Sequence, residues 1–156
     1  MATLTSQNAV GADAVISSLN QLLADSYVLM GQTHLAHWNV EGTDFFQLHA
    51  AFQSQYEELF AAVDEIAERV RSLGAYAEGG LDRFAELTSL SPLPVGRQSG
   101  KEYVAQLIDS HEKVASTAKQ LEQVAGDTDD LETQDLAIGR RQVHQKVIWM
   151  LTSYLK

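Results

Sequence analysis

The chain of 156 residues contains no cysteine. Disulfides, thiolate zinc sites and ordinary iron–sulfur clusters are therefore excluded, because all three need cysteine sulfur. Any metal that the chain binds must be held by nitrogen and oxygen. Histidine, of which there are 5, and carboxylate, of which there are 21, remain as the strong ligands.

Basic residues are scarce, and the first part of the chain has none. The 11 Lys and Arg oppose 21 Asp and Glu, which gives a net charge of −10, and no Lys or Arg precedes Arg69. Such a field repels phosphate and attracts cations. Direct DNA binding is therefore not expected, because counterion release requires several basic residues at the contact.

Long apolar runs are also missing. No stretch approaches the ~18 residues that a membrane span needs, and the start MATLTSQNAV lacks the basic and hydrophobic regions of a signal peptide. We expect a cytoplasmic protein with no membrane association. With 45% apolar residues, the chain suits one domain over 1–156, of which residues 1–10 are predicted to be a flexible tail.

Apolar residues recur with helical spacing in four long segments. The spacing predicts helices over about 11–39, 45–73, 99–125 and 130–154, and no segment reads as a strand. Residues 74–98 contain both prolines and several glycines around a short amphipathic piece, 81–90. The sequence thus predicts an all-α fold, two hairpins joined by a long crossover with a small helix, which is the ferritin-like form of the four-helix bundle.

Two histidines and two carboxylates are the candidate metal ligands. His37 and His49 flank the predicted first turn, so an antiparallel hairpin brings them to the same end of the bundle. Asp64 and Glu68 are four residues apart on one face of the second helix, where they can share an ion or serve neighbouring ions. At ~1.5 Å of rise per residue, Asp64 lies ~22 Å beyond His49 on the same helix.

One chain therefore cannot close this site. A two-fold axis that pairs two such hairpins would bring the histidines of one chain to the carboxylates of the other, giving two equivalent sites per dimer. The alternative is that the histidines are hydrogen-bonded core residues and that the DxxxE pair is a solvated helix edge. The spacing alone leaves both interpretations open.

Three segments resemble the Dps family of mini-ferritins: THLAHWNVEGTDFFQLH (33–49), DEIAERVRSLG (64–74) and KVIWML (146–151). The resemblance covers nearly the whole chain. It implies a hollow dodecamer of two-fold dimers that oxidises Fe(II) with hydrogen peroxide or dioxygen at intersubunit sites and stores ferric mineral. By motif position it also implies that His37 and His49 of one subunit, with Asp64 and Glu68 of its neighbour, are the catalytic iron ligands.

The sequence departs from this family's pattern at Gln53, where relatives usually carry an acidic residue. An amide supplies no charge and is a weak ligand. We hypothesise that His144, on the apolar face of the last helix, is an added ligand, which makes the site histidine-rich and lets zinc compete with iron. The alternative for His144 is a packed core residue, and His111 is assigned to the core outright.

The acidic link Asp127 to Asp135 precedes the last helix. In similar mini-ferritins such a link lines channels that admit Fe(II), but it can also simply cap the helix, with Asp129 as the N-cap residue. Trp38 and Trp149 are predicted to fill the core.

Two other functions compete with iron oxidation and storage. A nucleoid protein that coats DNA is opposed by the missing basic residues, since Lys156 is the only one at the C-terminus. A helical assembly protein without a metal role is opposed by the matched motif.

Overall fold

Four long helices and one short helix make up the described part of the chain. The computed structural model describes the backbone of residues 2–156 and the side chains of residues 11–156. Within residues 2–156 there is no strand, and no helix is both long and apolar enough to cross a membrane. The helices are α1 (Ala2–Asn39), α2 (Phe45–Ser72), α3 (Leu81–Leu87), α4 (Gly100–Asp127) and α5 (Leu131–Tyr154).

The long helices form two hairpins, α1 with α2 and α4 with α5, and α1 also packs along α4. The apolar stripes of all four meet in one core, as the helical spacing predicts. This confirms the predicted all-α bundle with a short helix in the crossover. The most deeply buried side chains include Leu19, Leu22, Leu29, Phe52, Leu59, Ile66, Tyr103, Leu107 and Leu121.

Helix α1 begins earlier than predicted, at Ala2 instead of about residue 11. The helix continues through Gly11, since a single glycine costs only about 1 kcal/mol in a helix. Packing explains why a glycine stands at position 11, because a Cβ there would lie 2.7 Å from Cγ2 of Thr128 at the end of α4. Met1 lies outside the described residues, and the mobility of residues 1–10 stays a prediction.

The starts of α4 and α5 show two kinds of helix cap. Ser99 and Glu102 form the predicted capping box at α4. At α5 the cap is Asp130, whose carboxylate accepts a hydrogen bond from the Thr133 backbone N–H. The prediction of Asp129 as the cap is wrong, because Asp129 adopts a left-handed conformation with φ of 60° in the turn before it.

The crossover is held on α1 by one buried carboxylate. Asp25 is fully buried and accepts five hydrogen bonds, from Gln21, the Thr88 hydroxyl, the Ser89 backbone N–H and hydroxyl, and the Thr117 hydroxyl. The shortest, from Ser89 N, is 2.6 Å long. Because the chain must bend to present Thr88 and Ser89 to Asp25, α3 ends at Leu87 and not at the predicted residue 90.

We predict that Asp25→Leu destabilises the bundle by roughly 3 kcal/mol or more, because it leaves several buried donors without an acceptor. The free energy of unfolding in urea measures the effect. Asp109→Leu, at an exposed position of α4, is the matched control and should change stability by less than about 0.5 kcal/mol. Equal effects of the two substitutions would show that Asp25 does not anchor the crossover.

Candidate metal centre

His37 and His49 meet where α1 turns into α2. Nδ1 of each ring lies 2.8 Å from the backbone carbonyl oxygen of the other residue, and the two rings stack with centroids 3.7 Å apart. A carbonyl oxygen can only accept, so Nδ1 of each ring carries a hydrogen. In the neutral form of each ring, Nε2 is then left with a free lone pair, which is the form in which histidine binds a metal.

An aromatic cluster surrounds this histidine pair. The His34 ring lies between Trp38 and Tyr56, at centroid distances of 4.2 and 4.3 Å, and the edge of Tyr56 meets His37 at 5.2 Å. Phe45 covers the other side of His49 at 4.8 Å. Sequence reasoning gave no role to Tyr56. Its contact with His37 can be seen only when the pairing of α1 with α2 is known, because Tyr56 lies on α2 and His37 lies on α1.

Asp64 and Glu68 lie one turn apart on α2 and are both exposed. Among the side chains that the structure describes, no three His, Asp or Glu of one chain come together to hold a metal ion. The histidine pair therefore lacks carboxylates, and the carboxylate pair lacks histidines. This agrees with the separation of ~22 Å expected along a helix from His49 to Asp64.

Gln53, the position that departs from the family pattern, is exposed on α2. Its amide nitrogen donates a hydrogen bond of 2.8 Å to the carboxylate of Glu57, one turn further along the same helix. The charge missing at position 53 is thus present one turn away, at Glu57.

His144 lies in the bundle interior with His111. Both rings are buried, and their Nδ1 atoms are 2.9 Å apart. Nη2 of Arg140 lies 3.5 Å from Nε2 of His144. Because a guanidinium can only donate, this geometry places the hydrogen of neutral His144 on Nδ1, from which it is donated to His111. The core assignment of His111 is confirmed, whereas the ligand role of His144 stays a prediction.

Burial keeps this inner histidine pair neutral. Desolvation, with the nearby charge of Arg140, lowers the pKa of His111 to about 3. Desolvation also holds the pKa of His144 well below its usual range, with further contributions from His111 and Arg140. Arg140 is itself buried and forms an ion pair with the carboxylate of Glu58 on α2, so its charge is compensated.

Several large aromatic side chains lie on the outside of the chain. Trp38 and Trp149 are 63% and 66% exposed, so the prediction that they fill the core is wrong for the single chain. Phe46 and Phe60 on α2 are 80% and 69% exposed. Large exposed aromatic side chains are typical of surfaces that another chain covers.

The acidic link between α4 and α5 is partly explained by local structure. Asp130 caps α5 and accepts a 2.7 Å hydrogen bond from Arg69 of α2. Burial raises the pKa of Asp130, but the hydrogen bonds from Thr133 together with the charge and hydrogen bond of Arg69 outweigh it and lower the pKa overall. Asp127, Asp129, Glu132 and Asp135 are exposed. A channel lined by the acidic residues of this link, Asp130 included, stays a prediction.

Comparisons with known proteins agree with this architecture. A model of the ferritin-like domain matches residues 16–156. The chain is 37% identical to an uncharacterized low temperature-induced protein of Nostoc sp. over 91% of this chain and 80% of that protein. It is 32% identical to DNA protection during starvation protein 2 of Bacillus anthracis, over 90% and 96%.

Among solved structures, the Dps protein of Vibrio cholerae superposes with a TM-score of 0.90 at 28% identity, over 94% of this chain and 92% of that chain. That protein is described as a member of a broad superfamily of ferritin-like diiron-carboxylate proteins. The fold and the matched residues define a ferritin-like protein. Within that class, the chain belongs to the Dps, or DNA-protection-during-starvation, family.

We predict that the inner histidine pair makes the bundle labile to acid. The unfolded chain binds protons at both histidines below their usual pKa of about 6.5, whereas the folded chain does not until a far lower pH. Stability is therefore complete above about pH 6.5 and falls as the pH drops toward 3. At about pH 5 the loss from His111 is about 2 kcal/mol, and His144 adds to it in the same direction.

An acid titration followed by circular dichroism measures this loss. Replacing both inner histidines, by His111→Leu with His144→Leu, removes the two proton acceptors and should move the unfolding midpoint to lower pH. His34→Gln, at a partly exposed histidine, is the control and should leave the midpoint in place. An unchanged midpoint in the double variant would contradict the assignment.

Proposed function

We propose that the chain oxidises Fe(II) and stores the ferric product, at sites formed by His37 and His49 of one copy and Asp64 and Glu68 of a second copy. One observation carries the proposal above all: the reciprocal Nδ1 hydrogen bonds of the two histidines leave both Nε2 atoms free. Fixing the ring through the other nitrogen is the usual arrangement around metal-binding histidine.

The charge of this donor set suits a divalent ion. Two neutral imidazoles and two carboxylates carry a total charge of about −2, which balances Fe(II) without excess. Imidazole nitrogen also favours zinc and other borderline metals, so zinc is expected to compete for the same site. With Gln53 neutral, the nearest further carboxylate on this face of α2 is Glu57.

The chemistry that we propose follows from the substrates. Each Fe(II) gives up one electron; hydrogen peroxide, which accepts two, is reduced to water, and dioxygen can serve as the alternative oxidant. Hydrolysis of the ferric ion releases protons and yields mineral. Oxidation by hydrogen peroxide consumes the peroxide, and storage of the ferric product inside a hollow dodecamer of two-fold dimers removes the iron. Both reactants of hydroxyl-radical formation are thereby removed, which limits oxidative damage.

We propose that the protein acts in the cytoplasm. Several of the relatives are named for protection of DNA, which points to the cytoplasm as the place of action. Direct coating of DNA is not part of the proposal, because the net charge of −10 disfavours contact with phosphate. Protection would instead be indirect, through removal of iron and oxidant.

Mixing two inactive variants tests the shared site. We expect no rapid Fe(II) oxidation from the His37→Ala, His49→Ala chain or from the Asp64→Asn, Glu68→Gln chain alone. In a mixed dimer the intact histidines of one chain face the intact carboxylates of the other. Random pairing therefore restores roughly a quarter of the wild-type sites, measured as oxidation rate and as tightly bound Zn(II).

A matched mixture controls for simple dilution effects. The single variants His37→Ala and His49→Ala damage the same half of the site, so every site in their mixed dimer lacks one histidine and no activity returns. Failure of the first mixture to regain activity or metal binding, with dimers formed, would exclude a site shared between two copies.

The hypothesis that His144 is a further ligand is tested separately. Metal binding by His144 would break its contact with either His111 or Arg140, since both ring nitrogens are engaged. If His144 is a ligand, His144→Leu lowers Zn(II) affinity and slows oxidation of Fe(II), both measured on the assembled protein. Unchanged values for the two would remove His144 from the site.

A further inference from the structure

Three polar side chains follow one another at single-turn spacing on α2: His49, Gln53 and Glu57. At ~100° per residue, each step of four residues turns the direction of the side chain by only about 40°, and the direction of Asp64 falls between those of Gln53 and Glu57. Gln53, Glu57 and Asp64 are exposed in the single chain, and His49 is half-buried. One face of α2 thus carries donors from both halves of the proposed site.

The hydrogen bond between Gln53 and Glu57 fixes the orientation of the amide. The amide nitrogen of Gln53 lies 2.8 Å from a carboxylate oxygen of Glu57. An ionised carboxylate can only accept a hydrogen bond, so the nitrogen of the amide, and not its oxygen, must face Glu57. The amide oxygen therefore points away from Glu57 and is left available to a metal ion.

The charge of Glu57 strengthens this arrangement. Glu57 takes part in no salt bridge among the side chains of residues 11–156, so no cation of that part of the chain compensates its charge. A hydrogen bond to an ionised acceptor is roughly twice as strong as one between neutral groups, and it polarises the donor. Because the amide is polarised, its oxygen becomes more negative and therefore a better ligand than the amide oxygen of an unheld side chain.

Distance assigns different roles to the two residues. Gln53 is one turn from His49, with Cβ atoms ~5–6 Å apart, which is close enough for both side chains to bind one ion. Glu57 is eight residues from His49, or ~12 Å along the helix axis. Gln53 is therefore the candidate ligand, and Glu57 acts through the amide that it holds.

We propose that Gln53 is a neutral oxygen ligand of the shared site and that Glu57 is the positioning residue that directs the amide oxygen to the metal. This inference rests on the proposed function and adds one donor to the four named there. A carboxylate that accepts a hydrogen bond from a metal ligand fixes the orientation of that ligand and raises its basicity. A neutral fifth donor also leaves the ligand charge at about −2, which still balances a divalent ion.

Titration of the assembled full-length protein with Zn(II) tests the role of Glu57. Glu57→Ala releases the amide and should weaken Zn(II) binding by about tenfold, as expected when the outer partner of a metal ligand is removed. Glu57→Gln keeps an oxygen that accepts the hydrogen bond but removes the charge, so we expect it to retain most of the affinity. Isothermal titration calorimetry measures both affinities, and sedimentation checks that each variant assembles.

Glu65→Ala is the matched control for the loss of charge alone. Glu65 is an exposed carboxylate of the same helix and directly follows Asp64, but its side chain points about 100° away from that of Asp64. Its removal should leave the Zn(II) affinity unchanged. Gln53→Ala should weaken binding as much as Glu57→Ala does, and combining the two should cause no further loss, because both act through one hydrogen bond.

The inference is overturned if Glu57→Gln binds Zn(II) as weakly as Glu57→Ala, because only the charge of Glu57 would then matter. It is also overturned if the effects of Gln53→Ala and Glu57→Ala simply add, because the two residues would then act independently. Equal affinity of Glu57→Ala and the unchanged protein, with binding lost in His49→Ala, refutes only the roles of Gln53 and Glu57. Binding that survives His49→Ala refutes the proposed site itself, and this inference with it.

Discussion

The rigidity of α2 is the constraint on which the candidate site depends. A helix cannot fold back on itself, so His49 and Asp64 stay ~22 Å apart whatever the side chains do. The two donor pairs are left incomplete at opposite ends of one hairpin, and neither pair can find the other within its own chain. Association of two copies thus becomes a condition of the proposed chemistry.

Helix α1 connects this requirement to the stability of the bundle. Its apolar stripe packs against α2 and α4, while a row of polar side chains on another face, Asn20, Gln21, Asp25 and Gln32, holds the crossover. Asp25 is central to that row because it accepts five hydrogen bonds at a fully buried position. The same contacts hold the segment after α3 against α1 and α4, so one buried carboxylate joins three parts of the fold.

The two histidine pairs have different chemical properties because their surroundings differ. His37 and His49 give their Nδ1 hydrogens to backbone carbonyls and keep Nε2 free at the edge of the chain. His111 and His144 bind each other inside the bundle, near a cation that is paired with Glu58. Burial favours the neutral ring in the second pair, and the neighbouring guanidinium disfavours a further positive charge. The first pair is suited to a metal, and the second to a packed polar layer.

The sequence by itself determined the helices, because apolar period, capping residues and glycine positions act over a few residues. Local patterns of this kind predicted the capping box of Ser99 and Glu102. They also predicted the paired spacing of Asp64 and Glu68 and the placement of His37 and His49 around one turn. Interactions between distant segments could not be predicted in this way. The close approach of Gly11 to Thr128 depends on the packing of α1 against the end of α4. The end of α3 depends on Asp25, and the pairing of His144 with His111 depends on the register of α4 against α5. Only the tertiary structure decided these, and only it revealed that Trp38 and Trp149 are exposed, because a helical period shows which residues share a face but not what that face contacts.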